Sequence, residues 1–235
     1  MGRAFEFRKG RKMKRWAAMS KAFTRISKEL TMAAKESGPN PESNFRLKTA
    51  MQNAKGVNMP KDKVEAAIKR ATDKSAKDYS EVVYEGYGPH GVAILVETAT
   101  DNPTRTVAAV RMHLSRADGE LGKSGSLNHV FERKGVFRLP AEGLHMEELE
   151  LELIDFGAEE IFEDEGEIII HTAFTDFGAM QKALDARGLT VTNSELQRIP
   201  LTTVEISDEQ YEDIEALVEK IEEDDDVQAV YHNAA

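Results

Sequence analysis

Three strings in this 235-residue chain have residue types and spacings that nucleotide or metal chemistry uses. Gly86-x-Gly-x-x-Gly91 matches the glycine pattern that lets a backbone approach a dinucleotide pyrophosphate. That pattern must follow a strand and open a helix. Here Pro89 sits inside the loop, and the apolar run Val92-Ala-Ile-Leu-Val-Glu97 after it predicts a strand. The glycines therefore read as a turn between strands over residues 82–84 and 92–97. Gly122-Lys-Ser resembles the end of a phosphate-binding loop, but Ala117 occupies the position of its upstream glycine, and no helical pattern follows. The same residues miss the nucleophile-elbow pattern, because Ser126 stands where its last glycine belongs. Asp224-Asp-Asp226 gathers carboxylates but lacks calcium-loop spacing, and it reads as a solvated acidic turn. Histidines 90, 113, 129, 145, 171 and 232 show no metal-ligand spacing. Glu6, Glu29 and Glu36 are too scattered to build a metal-dependent nuclease in the basic region. The expectation is a protein with no catalytic residues, no metal and no cofactor.

Charge is the informative signal. Residues 1–78 hold 20 Lys+Arg against 8 Asp+Glu, and the remainder holds 11 against 34, within a net charge of −11. Such asymmetry predicts a basic module that meets a polyanion, carried on an acidic body. Residues 1–15 read as an arm, disordered when free, in which Arg3, Arg8, Lys9, Arg11, Lys12, Lys14 and Arg15 interleave with Phe5 and Phe7. These side chains suit phosphate neutralisation and base stacking. A solubilising tail would be redundant in a chain already at −11.

From Trp16 the spacing of Trp16, Met19, Phe23, Ile26, Leu30 and Ala33 predicts one apolar helical stripe. Lys14, Lys21, Arg25, Lys28 and Lys35 fall opposite it, continuing the basic arm. Gly38 and Pro39 end this helix. Helices follow over residues 43–55 and from Pro60, with a polar linker over 72–80. The nucleic-acid-binding candidates are thus Arg3, Arg8, Lys9, Arg11, Lys12, Lys14, Arg15, Trp16, Lys21, Arg25 and Lys28. Lys61, Arg105, Arg111 and Lys123 are secondary ones.

Beyond the linker, two strands, a helix over 104–114 and strand pieces over 127–131 and 135–139 make an incomplete β-β-α-β unit. Residues 141–200 read as a self-contained acidic α-β-β-α-β unit. Residues 201–235 supply a strand at Val204, a helix from Asp208 with a Ser207-x-x-Gln210 capping box, and a strand over 227–232. Two strands and a helix do not stand alone. They complete the sheet begun before Pro140. The expected class is α+β: a three-helix domain (1–78), then two small ferredoxin-like α+β domains, one discontinuous (79–140 and 201–235) and one inserted (141–200). The chain has no cysteine and no apolar run of membrane-spanning length, which fits a reducing compartment, the cytoplasm.

Tyr84-Glu-Gly-Tyr-Gly-Pro-x-Gly-Val-Ala, Thr100-Asp-Asn-x-x-Arg-Thr, Leu121-Gly-x-Ser-Gly-Ser, Phe131-Glu-Arg-Lys-Gly and Asn58-Met-Pro-Lys-Asp occur in one order. In these strings the chain resembles the YebC/PmpR family, from about Lys21 onward. The first twenty residues depart from the family's usual Ala-Gly-His-Ser-Lys-Trp start. The family contains bacterial proteins called transcriptional regulators and a mitochondrial translational activator of cytochrome c oxidase. The resemblance implies a helical first domain and two α+β domains, one inserted in the other. It also implies a non-enzymatic regulator of gene expression that binds DNA, or alternatively ribosomal RNA on the ribosome as a translation factor. A metal-dependent nucleic-acid enzyme is the remaining alternative. No helix carries a string rich in base-reading residues, which favours recognition of shape and phosphate.

Overall fold

A computed structural model describes the backbone of residues 3–73 and 78–235, and side chains from Ala18 onward outside 74–77. It divides into two compact units, residues 1–76 and 77–235.

The first unit is helical: α1 (Arg3–Ser37), α2 (Phe45–Gly56) and α3 (Lys61–Arg70). The helical backbone begins well ahead of Trp16, where the apolar periodicity starts; the arm's side chains and those of Trp16 lie outside the described residues. α1 packs against both α2 and α3. Five of the buried residues at the seam are alanines (Ala33, Ala34, Ala50, Ala54, Ala67), small enough for close helix approach around Leu30 and Leu47. Asn44 ties α1 to α2. Its side-chain oxygen accepts from Leu47 N–H at 3.0 Å, and its amide donates to the carbonyls of Ala33 at 2.7 Å and Gly38 at 2.8 Å. That one residue satisfies orphan groups at the end of one helix and the start of the next. Arg46 adds ion pairs to Glu29 at 2.8 Å and Glu36 at 3.0 Å.

The second unit holds two antiparallel four-stranded sheets, an α+β fold as expected. The first sheet contains β1 (Ser80–Tyr87), β2 (Ala93–Thr100), β3 (Glu120–Leu121) and β8 (Val227–His232), in the order β3-β1-β2-β8. Helices α4 (Pro103–Arg116) and α7 (Asp208–Glu222) contribute Val110, Leu114, Ile214, Leu217 and Ile221 to a core over Ile94 and Val96. The sheet's other face is covered by Leu127, Val130 and Phe131. α7 starts with the expected capping box, Ser207 and Gln210 bonding reciprocally. Gly86 has no room for a side chain, since a Cβ there would lie 2.5 Å from the Glu120 carbonyl oxygen.

The second sheet corrects the expected division at Pro140. It is built from β4 (Phe131–Pro140), β5 (Ala158–Asp164), β6 (Glu167–Ala173) and β7 (Asn193–Pro200), in the order β5-β6-β4-β7. With α5 (Met146–Leu153) and α6 (Phe177–Ala186) it runs β-α-β-β-α-β. The 135–139 strand therefore does not join the first sheet; it is the central strand that the α-β-β-α-β unit lacked. Short Glu120–Leu121 fills the place assigned to it, too brief to show periodicity. Val204 makes only an isolated bridge with Ala234, and residues 127–130 form a turn rather than a strand. The chain enters and leaves the second sheet side by side: Phe131 pairs with Pro200, and Leu201 N–H donates to the Val130 carbonyl at 2.7 Å.

Candidate nucleic-acid interface

Of the eleven primary candidates, Arg3, Arg8, Lys9, Arg11, Lys12, Lys14, Arg15 and Trp16 have side chains outside the described residues. Lys21 and Arg25 are half-buried on α1. Lys28 is only 8% exposed and so leaves the outward basic stripe. The reason is the wide buried arc of α1: between α2 and α3, residues 30–34 are all buried. Thr31, on that arc, places its hydroxyl 2.8 Å from the Ser27 carbonyl and 3.0 Å from that of Ala67 on α3. Met19, expected inside, is exposed.

The same unit presents further cations, of which only Lys61 was among the secondary candidates. Lys48, Lys55, Lys69 and Arg70 are exposed. Lys61 is exposed in the first turn of α3, 3.6 Å from Glu65. Lys63 lies 5.2 Å from the centre of the Phe23 ring. Over residues 18–73 there are eleven Lys+Arg and six Asp+Glu, so the positive balance persists without the arm.

In the second unit most cations are matched by carboxylates. Arg198 pairs with Glu97 at 2.8 Å, Lys134 with Glu159 at 3.0 Å, Lys220 with Glu223 at 3.0 Å and Arg138 with Glu167 at 3.7 Å. Arg111 and Lys123, two secondary candidates, are exposed. Arg105 is a clamp instead. It binds Asp226 and, at 2.9 Å, Asp101, and these bonds, Asp226 first, hold its guanidinium pKa above the ordinary value. The Asp226 carboxylate also accepts from the hydroxyls of Thr100 at 2.9 Å and Thr106 at 3.0 Å. Asn102 caps α4 by accepting from Arg105 N–H at 3.1 Å. The Thr100-Asp-Asn-x-x-Arg-Thr string thus closes on Asp226, 4% exposed, joining the start of α4 to the loop before β8. This overturns the solvated-turn reading of Asp226: a hydroxyl-lined, arginine-topped site compensates burial of its charge.

The glycine-rich loop at Gly122 does cradle an anion, but the anion is the chain's own Glu85. That carboxylate, 6% exposed, accepts from Gly125 N–H at 2.8 Å and Leu127 N–H at 2.6 Å, with the Ser126 hydroxyl 3.4 Å away. Gly125 has φ +85°, which aims its amide inward and favours glycine. The loop's anion site is therefore filled by Glu85.

Among the described residues, no three His, Cys, Asp or Glu side chains come together to hold a metal ion. His90 instead meets Asp213 at 2.9 Å and the Gln210 amide at 3.2 Å, and His171 meets Glu160 at 3.0 Å. An open groove of about 520 Å³ along α7 is lined by Glu212, Glu215, Glu219, Glu222 and His232, a lining that disfavours phosphate.

Two family models match the chain. The TACO1/YebC protein N-terminal domain covers residues 3–74, starting ahead of Lys21, and the TACO1/YebC second and third domain covers residues 79–234. A probable transcriptional regulatory protein of Cytophaga hutchinsonii is 62% identical over 235 residues, spanning 100% of this chain and 99% of its own length. One of Flavobacterium psychrophilum is 58% identical over 232 residues, spanning 99% of this chain and 98% of its own. The crystal structure of a conserved hypothetical protein from Aquifex aeolicus superposes with a TM-score of 0.83 at 37% identity, covering 92% of this chain and 90% of that one.

Proposed function

The chain belongs to the TACO1/YebC family, whose relatives are named as probable transcriptional regulatory proteins, and we propose that it regulates gene expression, without catalysis, by binding DNA through its basic N-terminal region. The observation that carries this reading is the division of charge: 20 Lys+Arg against 8 Asp+Glu over residues 1–78, 11 against 34 beyond. A duplex presents one negative charge per about 1.7 Å of axis, which attracts the first unit and repels the second. Carboxylate pairing of Arg105, Lys134, Arg138, Arg198 and Lys220 strengthens the contrast. Among the described residues, no helix is long and apolar enough to cross a membrane, in keeping with a cytoplasmic regulator.

Ribosomal RNA is the second target class. It is favoured by the spread of cations over three helices, a surface suited to phosphate and shape rather than base edges, and by the resemblance to a mitochondrial translational activator. Crosslinking in cells, followed by sequencing of the recovered nucleic acid, separates promoter DNA from ribosomal RNA. In vitro, if about five side chains neutralise phosphates, log affinity falls with log salt at a slope of about −4.5 on duplex DNA, or about −3.5 on single strands. A fourfold rise in salt then weakens duplex binding roughly 500-fold. Charge reversal of Arg8, Lys9, Arg11 and Lys12 to Glu should flatten that slope. A folded quadruple variant that keeps the parental slope would refute binding through the N-terminal region.

A further inference from the structure

Residues 139–181 contain no lysine or arginine and thirteen aspartates and glutamates. The same stretch exposes apolar side chains. Along α5, Leu149 and Leu153 face the core, while Leu151 is 76% exposed and Ile154, three residues on in the following turn, is 62% exposed. Glu147, Glu150 and Asp155 surround this pair and are exposed. Two large aliphatic groups three residues apart on one helical face, ringed by carboxylates, form a surface that repels nucleic acid and anionic lipid alike. It is complementary to a segment both cationic and apolar.

The chain contains such a segment. Its first sixteen residues carry seven Lys+Arg together with Phe5, Phe7, Met13 and Trp16. We infer that the outward face of α5, centred on Leu151 and Ile154, docks the N-terminal basic segment of a second copy of this chain. The two surfaces differ, so the contact is head-to-tail, and association need not stop at a dimer. It combines burial of aliphatic surface with charge attraction, so it weakens as salt rises.

Sedimentation velocity of the full chain tests this at low and high salt over a range of concentrations. The expected result is concentration-dependent association at low salt that dissolves at high salt. Leu151→Ser with Ile154→Ser should weaken association by about tenfold or more, because both aliphatic contacts are lost while the carboxylate ring stays. Both side chains are exposed, so circular dichroism should report an unchanged fold. Glu147→Gln with Glu150→Gln keeps the aliphatic pair and should reduce the salt dependence. Leu201→Glu, at a 57% exposed leucine outside the stretch, should associate as the parent does. A parent chain that stays monomeric at about 100 μM in low salt overturns the inference. So does a Leu151/Ile154 variant that associates like the parent, or an equal loss in the Leu201 variant.

Discussion

Replacing Glu85 by alanine tests the reading that the glycine-rich loop is built around an internal anion. Two amides, Gly125 N–H and Leu127 N–H, lose a charged acceptor at 2.8 and 2.6 Å. Hydrogen bonds to charged groups contribute about 1.5–3 kcal/mol each. The Gly125 bond is part-buried, and its amide recovers water when the loop relaxes; the Leu127 bond is buried. The lower end of the range applies to the first and the upper end to the second, giving a loss of about 4.5 kcal/mol. Against a typical stability of about 5–15 kcal/mol, that is a large share. With a urea m-value of about 2 kcal/mol/M, the midpoint of unfolding followed by circular dichroism should fall by about 2 M. Glu85→Gln keeps one acceptor oxygen but turns an amide toward the other N–H, so about half the loss is expected. Lys123 is exposed on this loop, and tryptic cleavage there should accelerate in the alanine variant. A midpoint within about 0.3 M of the parent, with unchanged cleavage at Lys123, would show that packing of Leu127 alone holds the loop.

Asp226→Ala and Thr106→Val each remove part of one buried cluster, costing about 3 and about 1–2 kcal/mol in urea unfolding; because they share a hydrogen bond, the double variant should lose less than the sum, and strict additivity would dissolve the cluster as a unit. Burial lowers the pKa of His232 below its ordinary value, against an opposing push from Glu215. The unfolded chain therefore takes up the proton first, and stability present above about pH 6.5 should be lost as pH falls through the folded-state pKa. His232→Phe should flatten that pH dependence, and an unchanged profile would assign it elsewhere. Replacing residues 132–200 by a short Gly/Ser linker should leave the first sheet able to unfold cooperatively, because Leu201 N–H and the Val130 carbonyl already lie 2.7 Å apart; a broad, non-cooperative transition in the remainder would count against an inserted domain.

Local signals in the sequence located most elements, because caps, glycines and periodicity act over a few residues. Ser207 and Gln210 foretold the start of α7, and Gly38 and Pro39 the end of α1. What stayed hidden was long-range partnership. β4 has the composition of a strand for either sheet, and only its pairing with β6 and β7 assigns it. Asp226 looked like its neighbours in an acidic run. Its partners Thr100, Arg105 and Thr106 lie over a hundred residues away, and the polar string they form had no local explanation. Glu85 was likewise silent, although an acid flanked by Tyr84 and Gly86 with no local partner was a clue to a remote one. Lys28 shows the limit of wheel arguments: a helix flanked on two sides buries residues that a single stripe would leave outside.

The order of strands has a consequence for synthesis. Residues 131–200 form the second sheet from contiguous chain, and it can close once Pro200 is available. The first sheet waits longer. The β2 strand, Ala-Ile-Leu-Val-Glu-Thr-Ala-Thr, lacks its neighbour on one edge until Val227–His232 has been made. At roughly 5–20 residues per second, translation from Thr100 to Val227 takes roughly 6–25 s. During that interval an apolar edge strand is open to pairing with another nascent chain. The second sheet is then the first part of the second unit able to form, and chaperone demand should peak while the strand beside β2 is still missing.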